Sequence, residues 1–155
     1  MTDDDMAALM ARAYRHQAPW TAPDITALRA RPTTLVLDAP GGFLIAQVVI
    51  DEAEILALAT DPAKQRRGVA TALLDRFHAD CAARGVARTL LDVAEDNGPA
   101  RALYHRAGYA ETARRRGYYA RAEGRRADAL LMARAVAREP AGTWGQGSGR
   151  PGKTG

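Results

Sequence analysis

The stretch that decides the fold runs from Glu54 to Leu74 and reads EILALATDPAKQRRGVATALL. Its apolar first part predicts a β-strand, which ends at Asp61-Pro62 because proline cannot continue a central strand. A helical pattern of apolar residues follows, at Ala70, Leu73, Leu74, Phe77 and Cys81. The sequence therefore predicts a strand, then a polar loop with two arginines and a glycine, and then a helix.

The loop between that strand and that helix has the features of an anion site. Gly68 allows backbone N–H groups to approach a ligand closely, and the start of a helix favours negative charge. Arg66 and Arg67 add charge-assisted hydrogen-bond donors. The pattern favours a phosphate site. On this stretch alone, a solvated basic turn before a surface helix remains an equal alternative.

The length and composition indicate one globular domain. The chain has 155 residues, of which 47% are hydrophobic and 26% are charged. A net charge of +4 permits contact with polyanions. Nucleic-acid binding is nevertheless a weak prediction, because the sequence shows no helix-turn-helix, zinc or aromatic ribonucleoprotein motif. Residues 1–137 are predicted to form the domain, and the Gly/Pro-rich residues 138–155 are predicted to be a disordered tail.

Cysteine and histidine usage argues against a metal site. The single cysteine, Cys81, excludes an intramolecular disulfide and is predicted to be a buried structural thiol on its helix. His16, His78 and His105 lack metal-ligand spacing and are predicted to lie at the surface. The acidic N-terminal residues do not resemble a signal peptide, and no apolar run approaches the roughly 18 residues of a membrane span. We therefore expect a cytoplasmic protein.

The remaining elements complete an α/β pattern. Two helices are expected at the N-terminus, over residues 6–16 and from near Asp24. Strands are predicted at 33–38, 43–50, 54–60, 88–94, 109–116 and 128–136, and further helices at 68–83 and 98–107. Tight connections predict that the first three strands form an antiparallel meander. The strand–helix–strand order predicts that strand 88–94 runs parallel to strand 54–60.

This order of elements resembles the GNAT superfamily of acetyl-CoA-dependent N-acetyltransferases. Gln65-Arg66-Arg67-Gly68-Val69-Ala70 is similar to the family's Q/R-x-x-G-x-G/A loop. A further series is similar to the bacterial ribosomal-protein-alanine N-acetyltransferases (the RimI type): Leu91–Asn97, Ala102–Tyr104, Ala107–Tyr109, Arg115–Tyr119 and Asp128–Met132. The resemblance covers residues 6–136. It implies an α/β GNAT fold, with a mixed, mostly antiparallel sheet of about six to seven strands and helices on both faces.

The resemblance also implies how acetyl-CoA would be bound. Backbone groups of Leu58, Ala59 and Thr60 would pair with the pantetheine arm as an added strand would. The pyrophosphate would be wrapped by Arg66, Arg67, Gly68, Val69, Ala70 and Thr71. Asn97 would bond the co-substrate near its thioester. Asn97 can also be a plain helix N-cap, and both roles can hold together.

Two residues are candidates for the chemistry. The resemblance implies that Tyr104 is the general acid that protonates the departing thiolate, whereas its spacing alone favours a core tyrosine. Asp92 stands where the subfamily usually has a glutamate that acts as the base. An aspartate there keeps the carboxylate but shortens its reach by one methylene, so it would act directly, act through a water, or leave the task to Glu95 or to a backbone-held water. The alternative for Asp92 is a structural carboxylate bonded to the sheet edge.

Other side chains suggest how the acceptor is approached. Asp51, Glu52 and Glu54, together with Asp92 and Glu95, would make an acidic approach for a cationic peptide N-terminus, or a solvated turn. Tyr118-Tyr119 would shape a peptide groove, or would be ordinary strand aromatics.

The resemblance therefore implies acetyl transfer from acetyl-CoA to a protein N-terminal α-amine, by direct attack in a ternary complex and without a metal. The acceptor would be the N-terminal alanine of a small-subunit ribosomal protein. Acetylation of lysine side chains, polyamines or another small amine is the alternative enzyme activity. An acetyl-CoA-binding sensor and a basic nucleic-acid-binding domain are the alternatives that are not enzymes. No membrane partner is expected.

Overall fold

The computed structural model describes residues 1–64 and 67–136, which form a six-stranded sheet and four α-helices. The helices are α1 (Asp3–Ala13), α2 (Ala22–Arg29), α3 (Val69–Ala83) and α4 (Gly98–Arg106). The strands are β1 (Thr34–Ala39), β2 (Gly42–Val49), β3 (Glu52–Thr60), β4 (Arg88–Ala94), β5 (Ala110–Ala120) and β6 (Arg126–Ala135). The predictions for Arg66 and for the tail at 138–155 lie outside the described residues, and the domain boundary at residue 137 stays a prediction.

The strands are arranged in the order β1-β2-β3-β4-β6-β5. The first three form the expected antiparallel meander. β4 runs parallel to β3 after the crossover through α3, and the other neighbours are antiparallel. The predicted mixed, mostly antiparallel sheet is therefore confirmed, with six strands among the described residues.

Helices cover both faces of this sheet, as predicted. Alternate residues of β2 show why: Leu44 and Ala46 pack in the cluster that contains the buried side chains of α3 and α4. Phe43 and Ile45 point the other way and pack against α1 and α2. The two-residue period of a strand thus sends β2 side chains into two cores, one on each side.

Capping side chains explain where the first two helices begin. Thr2 accepts a hydrogen bond from the backbone N–H of Asp5 at 3.0 Å, and the Asp5 carboxylate accepts one from the backbone N–H of Thr2 at 3.0 Å. This capping box starts α1 at Asp3, earlier than the expected residue 6. Thr21 and Asp24 form a second box at α2. α1 ends at Ala13 instead of residue 16, because Tyr14 is already extended.

Most of the expected arginine-rich loop after residue 116 is strand. β5 continues to Ala120, past a register shift between Arg115 and Tyr119. Gly117 lies in that shift with φ 59°, and its N–H donates to the Asp128 carboxylate at 2.8 Å. This contact holds the irregular segment against β6, and regular pairing between β5 and β6 resumes at Tyr119. Tyr118 and Tyr119 are consequently residues of the edge strand.

The prediction that His78 lies at the surface is wrong. His78 follows Leu74 and Phe77 on the buried side of α3, and its Nε2 lies 2.8 Å from the Tyr109 hydroxyl. That hydroxyl also lies 2.8 Å from Thr89 Oγ1. Burial lowers the pKa of His78 to about 4, assisted by the charge of Arg134 and opposed by that of Asp75. His78 is therefore neutral in the folded protein at physiological pH.

The His78→Gln variant is expected to make stability less dependent on pH. An unfolded histidine titrates near pH 6.5, so the wild type should lose stability as pH falls from about 6.5 towards 4, where the unfolded chain binds more protons. Glutamine keeps a polar side chain without this titration. Urea midpoints at pH 5 and pH 7.5 measure the effect, with His105→Gln on the exposed side of α4 as the control. If the urea midpoints of both variants depended equally on pH, the conclusion that folding lowers the pKa of His78 would be wrong.

Candidate active site

A cleft opens where β3 and β4 separate. The two strands pair only from Glu52–Ile55 on β3 with Arg88–Leu91 on β4. Beyond that point, Ala57–Thr60 and Asp92–Ala94 line a cleft of about 690 Å³. This edge of β3 therefore has no β4 partner among the described residues, which leaves backbone groups available to a ligand that adds as a strand.

A bulge in β3 accompanies this separation. Ile45 pairs with Ala57 while the next residue of β2, Ala46, pairs with Ile55, so Leu56 has no partner on β2. A bulge increases the local twist and reverses the faces to which the following side chains point. Ile55 accordingly packs with the α3 layer, and Ala57 packs with the α1 layer.

The described part of the predicted phosphate loop borders the cleft. Gly68, Val69, Ala70 and Thr71 line it, and Lys64 joins them as a cation that was not among the predicted site residues. No side chain of the described residues caps α3. The first N–H groups of α3 are thus not used by a cap, as an anion site requires. Arg67 is exposed and is not part of the lining.

Gly68 is needed for its backbone conformation. It is the N-cap of α3, with φ 76° and ψ 12° in the left-handed region. A Cβ added there would meet no atom within 4 Å. The requirement for glycine is therefore conformational rather than steric.

Asn97 lies at the cleft and also caps α4. Its Oδ1 accepts a hydrogen bond from the backbone N–H of Ala100 at 3.3 Å, which confirms the capping role. Asn97 is also one of the residues that line the cleft. Its contact with acetyl-CoA stays a prediction.

Tyr104 forms part of the cleft wall from α4. Its side chain is 8% exposed, and its ring meets that of Tyr109 edge-on, with the centroids 5.8 Å apart. Burial raises the pKa of Tyr104, and the neighbouring Tyr14 and Tyr109 add to the rise. The hydroxyl is therefore protonated throughout the physiological pH range, which is the state that a general acid needs.

Tyr14 is a cleft residue that the sequence did not reveal. It follows the last residue of α1 and lines the cleft. Burial raises the pKa of its hydroxyl to about 12, and the nearby polar groups of the Leu58 backbone and the Gln17 side chain offset part of the rise. Tyr14 thus lines the same cleft as Leu58, on the strand that the resemblance assigns to the pantetheine arm. Its only sequence signal is helical spacing from Met10, which indicates no more than a core position.

Asp92 extends from β4 into the cleft. Its neighbours Leu91 and Val93 pack into the α3 layer, so Asp92 points to the opposite face, where it is partly buried. The alternative base, Glu95, is committed elsewhere, because its carboxylate accepts a hydrogen bond from the Asp128 backbone N–H at 2.6 Å. Of these two carboxylates, Asp92 is the one that lines the cleft.

Comparison with known proteins identifies the family. The model of the acetyltransferase (GNAT) family matches residues 6–109. The chain belongs to the GNAT family. It is therefore an acyltransferase of the acetyl-CoA-dependent N-acetyltransferase class, and GNAT enzymes use acetyl-CoA. The free edge of β3 and the uncapped start of α3 suit the pantetheine arm and the pyrophosphate of that co-substrate.

Relatives of this GNAT protein include enzymes named as ribosomal-protein-alanine N-acetyltransferases. It is 37% identical over 136 residues to the [ribosomal protein bS18]-alanine N-acetyltransferase of Escherichia coli strain K12, covering 85% of this chain and 91% of the relative. The crystal structure of the E. coli ribosomal-protein-S18-alanine N-acetyltransferase superposes with a TM-score of 0.76, at 33% identity and over 87% of this chain and 88% of the other. The crystal structure of Ard1 from Thermoplasma volcanium superposes with a TM-score of 0.72 at 27% identity, and the match covers 88% of this chain and 95% of the other. Among the described helices, none has the length and apolarity needed to span a membrane.

Proposed function

We propose that this GNAT protein acetylates the N-terminal α-amine of a protein, and that its acceptor is the N-terminal alanine of a small-subunit ribosomal protein. The observation that carries the proposal is the 37% identity to the E. coli [ribosomal protein bS18]-alanine N-acetyltransferase over 91% of that enzyme's length. An acceptor of this kind would place the protein in the cytoplasm.

Acetyl-CoA is proposed to bind along the cleft. The backbone groups of Leu58, Ala59 and Thr60 hold the pantetheine arm from the edge of β3, and Asn97 contacts the co-substrate near its thioester. The pyrophosphate accepts hydrogen bonds at the loop and the start of α3, from Arg66, Arg67, Gly68, Val69, Ala70 and Thr71. Support for this arrangement comes from the uncapped N-terminus of α3 and from the cleft lining.

The reaction is proposed to be a direct transfer. The acceptor ammonium gives one proton to Asp92, and its nitrogen then attacks the acetyl carbonyl carbon. A new N–C bond forms as the C–S bond breaks, and Tyr104 protonates the departing thiolate. The nitrogen loses its second proton on becoming an amide, which balances the proton that Tyr104 donates. One proton is released to solvent in each turnover.

Two tyrosines of β5, Tyr118 and Tyr119, are proposed to form the acceptor side of the site. Tyr118 is 52% exposed on β5. Beside it, the Tyr119 hydroxyl donates a hydrogen bond to Gln17 Oε1 at 3.2 Å and so joins β5 to the segment that follows α1. These aromatic side chains are proposed to contact the residues that follow the acetylated amine.

Mass spectrometry after incubation with acetyl-CoA and unacetylated small-subunit ribosomal proteins tests the function. We expect one acetyl group, on an N-terminal alanine. The matched control is the same protein already acetylated at its N-terminus. Acetylation confined to lysine side chains, or only of polyamines and small amines, would contradict the proposal. Acetyl-CoA binding without turnover would favour a sensor, and steeply salt-dependent RNA binding without acetyl-CoA binding would favour a nucleic-acid-binding domain.

Gly68→Ala is expected to weaken acetyl-CoA binding about five- to tenfold, because alanine in the left-handed region costs about 1–2 kcal/mol and relief of that strain reorients the first N–H groups of α3. Gly85→Ala is the matched control. Gly85 follows the other end of α3 with the same φ of 76° and the same empty surroundings. Titration calorimetry with acetyl-CoA should separate the two variants although both lose similar stability. Equal affinities would contradict the role of this loop.

A further inference from the structure

Glu54 and Asp92 lie on one face of two adjacent strands. Their neighbours along each strand, Ile55 on β3 and Leu91 on β4, pack into the α3 layer, so both carboxylates point away from it. Glu54 is in register with Leu90. Asp92 is therefore the next residue on the same face of β4, a diagonal position that long side chains span.

These two carboxylates differ from the other acids around the cleft. Glu52 pairs with Arg88 at 3.4 Å, and Asp96 pairs with Arg121 at 2.7 Å. Within residues 1–64 and 67–136, neither Glu54 nor Asp92 forms an ion pair or a side-chain hydrogen bond. Of the acidic residues expected to attract a cationic peptide N-terminus, Glu54 and Asp92 are thus two that make no such contact, and Asp92 lines the cleft.

The electrostatic environment of Glu54 suits a cationic ligand. Although Glu54 is exposed, desolvation by its neighbours raises its pKa, the charge of Asp92 raises it further, and Arg115 on β5 opposes the rise. On β2, the register partner of Glu54 is the uncharged Gln47. The repulsion between the two carboxylates would be relieved by an ammonium group placed between them, which adds to its binding.

We propose that Glu54 is the second carboxylate of the acceptor site, which holds the acceptor ammonium against Asp92 and passes its proton to solvent. The inference rests on the proposed function and assigns Glu54 a role within it. The N–H bond of the ammonium breaks, and the proton moves to the Asp92 carboxylate. Because Glu54 is exposed whereas Asp92 is partly buried, Glu54 then takes this proton and releases it to water, and both carboxylates return to their ionised form.

The test compares wild type, Glu54→Gln and Glu52→Gln with a peptide that begins with alanine. At pH 6.5 we expect Glu54→Gln to lower kcat/KM about three- to fivefold, the effect of an exposed ion pair with an ammonium, with the KM for acetyl-CoA unchanged. At pH 9.5 the kcat/KM of Glu54→Gln should approach that of wild type, because the free α-amine titrates near pH 7.7–8.0 and is neutral at this pH. Glu52→Gln, which removes an exposed partner of Arg88, should match wild type at both pH values.

A defect of equal size at pH 6.5 and 9.5 would overturn the role of Glu54, since loss of structure alone does not follow the charge of the acceptor. Activity equal to that of Glu52→Gln would overturn it too. Thermal melts of the variants establish that each is folded. If wild type acetylates spermidine and not the peptide, the proposed protein acceptor is wrong. The ratio of kcat/KM between wild type and Glu54→Gln, measured with spermidine, then still tests Glu54. If wild type acetylates neither, both proposals fail.

Discussion

Replacing Tyr104 with phenylalanine is expected to lower kcat by about 10²- to 10⁴-fold, the usual contribution of a general acid. The variant keeps the ring and its edge-on contact with Tyr109, so the cleft wall should retain its shape. What it loses is the hydroxyl proton that neutralises the departing thiolate. The dissociation constant for acetyl-CoA should change less than about twofold, because the proposed contacts with the pantetheine arm and the pyrophosphate lie on β3 and α3.

Tyr109→Phe is the matched control for this prediction. Tyr109 is also buried on the same core, but its hydroxyl contacts His78 and Thr89 and it is not among the residues that line the cleft. We expect this control to lose about 1 kcal/mol of stability for the lost hydrogen bonds and to keep kcat within a few-fold of wild type. Steady-state rates and calorimetric affinities decide the outcome. A Tyr104→Phe enzyme with wild-type kcat would show that another group, or water, protonates the thiolate.

The order of the elements could be predicted because local signals mark each boundary. β3 ends at Thr60, the expected residue, directly before Asp61-Pro62, and Gly85 and Gly108 follow the ends of α3 and α4. The crossover through α3 then fixed the parallel pairing of β3 and β4, since chain connectivity allows little else. These features depend on residues that are near one another in the chain.

The bulge at Leu56 could not be predicted. Around Leu56, from Ile55 to Ala59, β3 is a continuous run of Ile, Leu and Ala, in which no glycine or polar residue distinguishes one position from the next. Whether a side chain there faces α1 or α3 depends on the registers with β2 and β4, which only the assembled sheet defines. The shape of the cleft therefore follows only from the three-dimensional structure. Most of the residues expected to line it follow from the family resemblance.

Tyr14 and His78 were missed for a related reason. Each has helical spacing that indicates a core position, and each lies beside a polar group from a distant part of the chain: Tyr14 lines the cleft with Leu58, and His78 lies 2.8 Å from the Tyr109 hydroxyl. Sequence periodicity reports which side of a helix is buried, but not which polar group lies opposite. Asp92 and Tyr104 were named because family resemblance carries that long-range information, and the structure places both at the cleft.

The second large effect is expected for Asp92→Asn, which should lower kcat/KM by about 10²- to 10⁴-fold near neutral pH, as loss of a general base does. Asparagine has the same size and retains one oxygen, but it cannot accept the ammonium proton. Since the α-amine is neutral above about pH 8, the deficit should narrow as pH rises through that value. Rates measured from pH 6 to 9.5 test this, with Asp51→Asn in the exposed β2–β3 turn as the control.

Asp92→Glu separates direct proton transfer from transfer through water. The longer side chain restores the methylene that this chain lacks relative to the glutamate implied by the resemblance. If Asp92 reaches the amine directly, the added length displaces the carboxylate, and kcat/KM should fall several-fold. If Asp92 acts through water, the glutamate replaces that water, and kcat/KM should equal or exceed the wild-type value. An Asp92→Asn enzyme with wild-type activity at every pH would instead make Asp92 a structural carboxylate, and the base would have to be sought at Glu54.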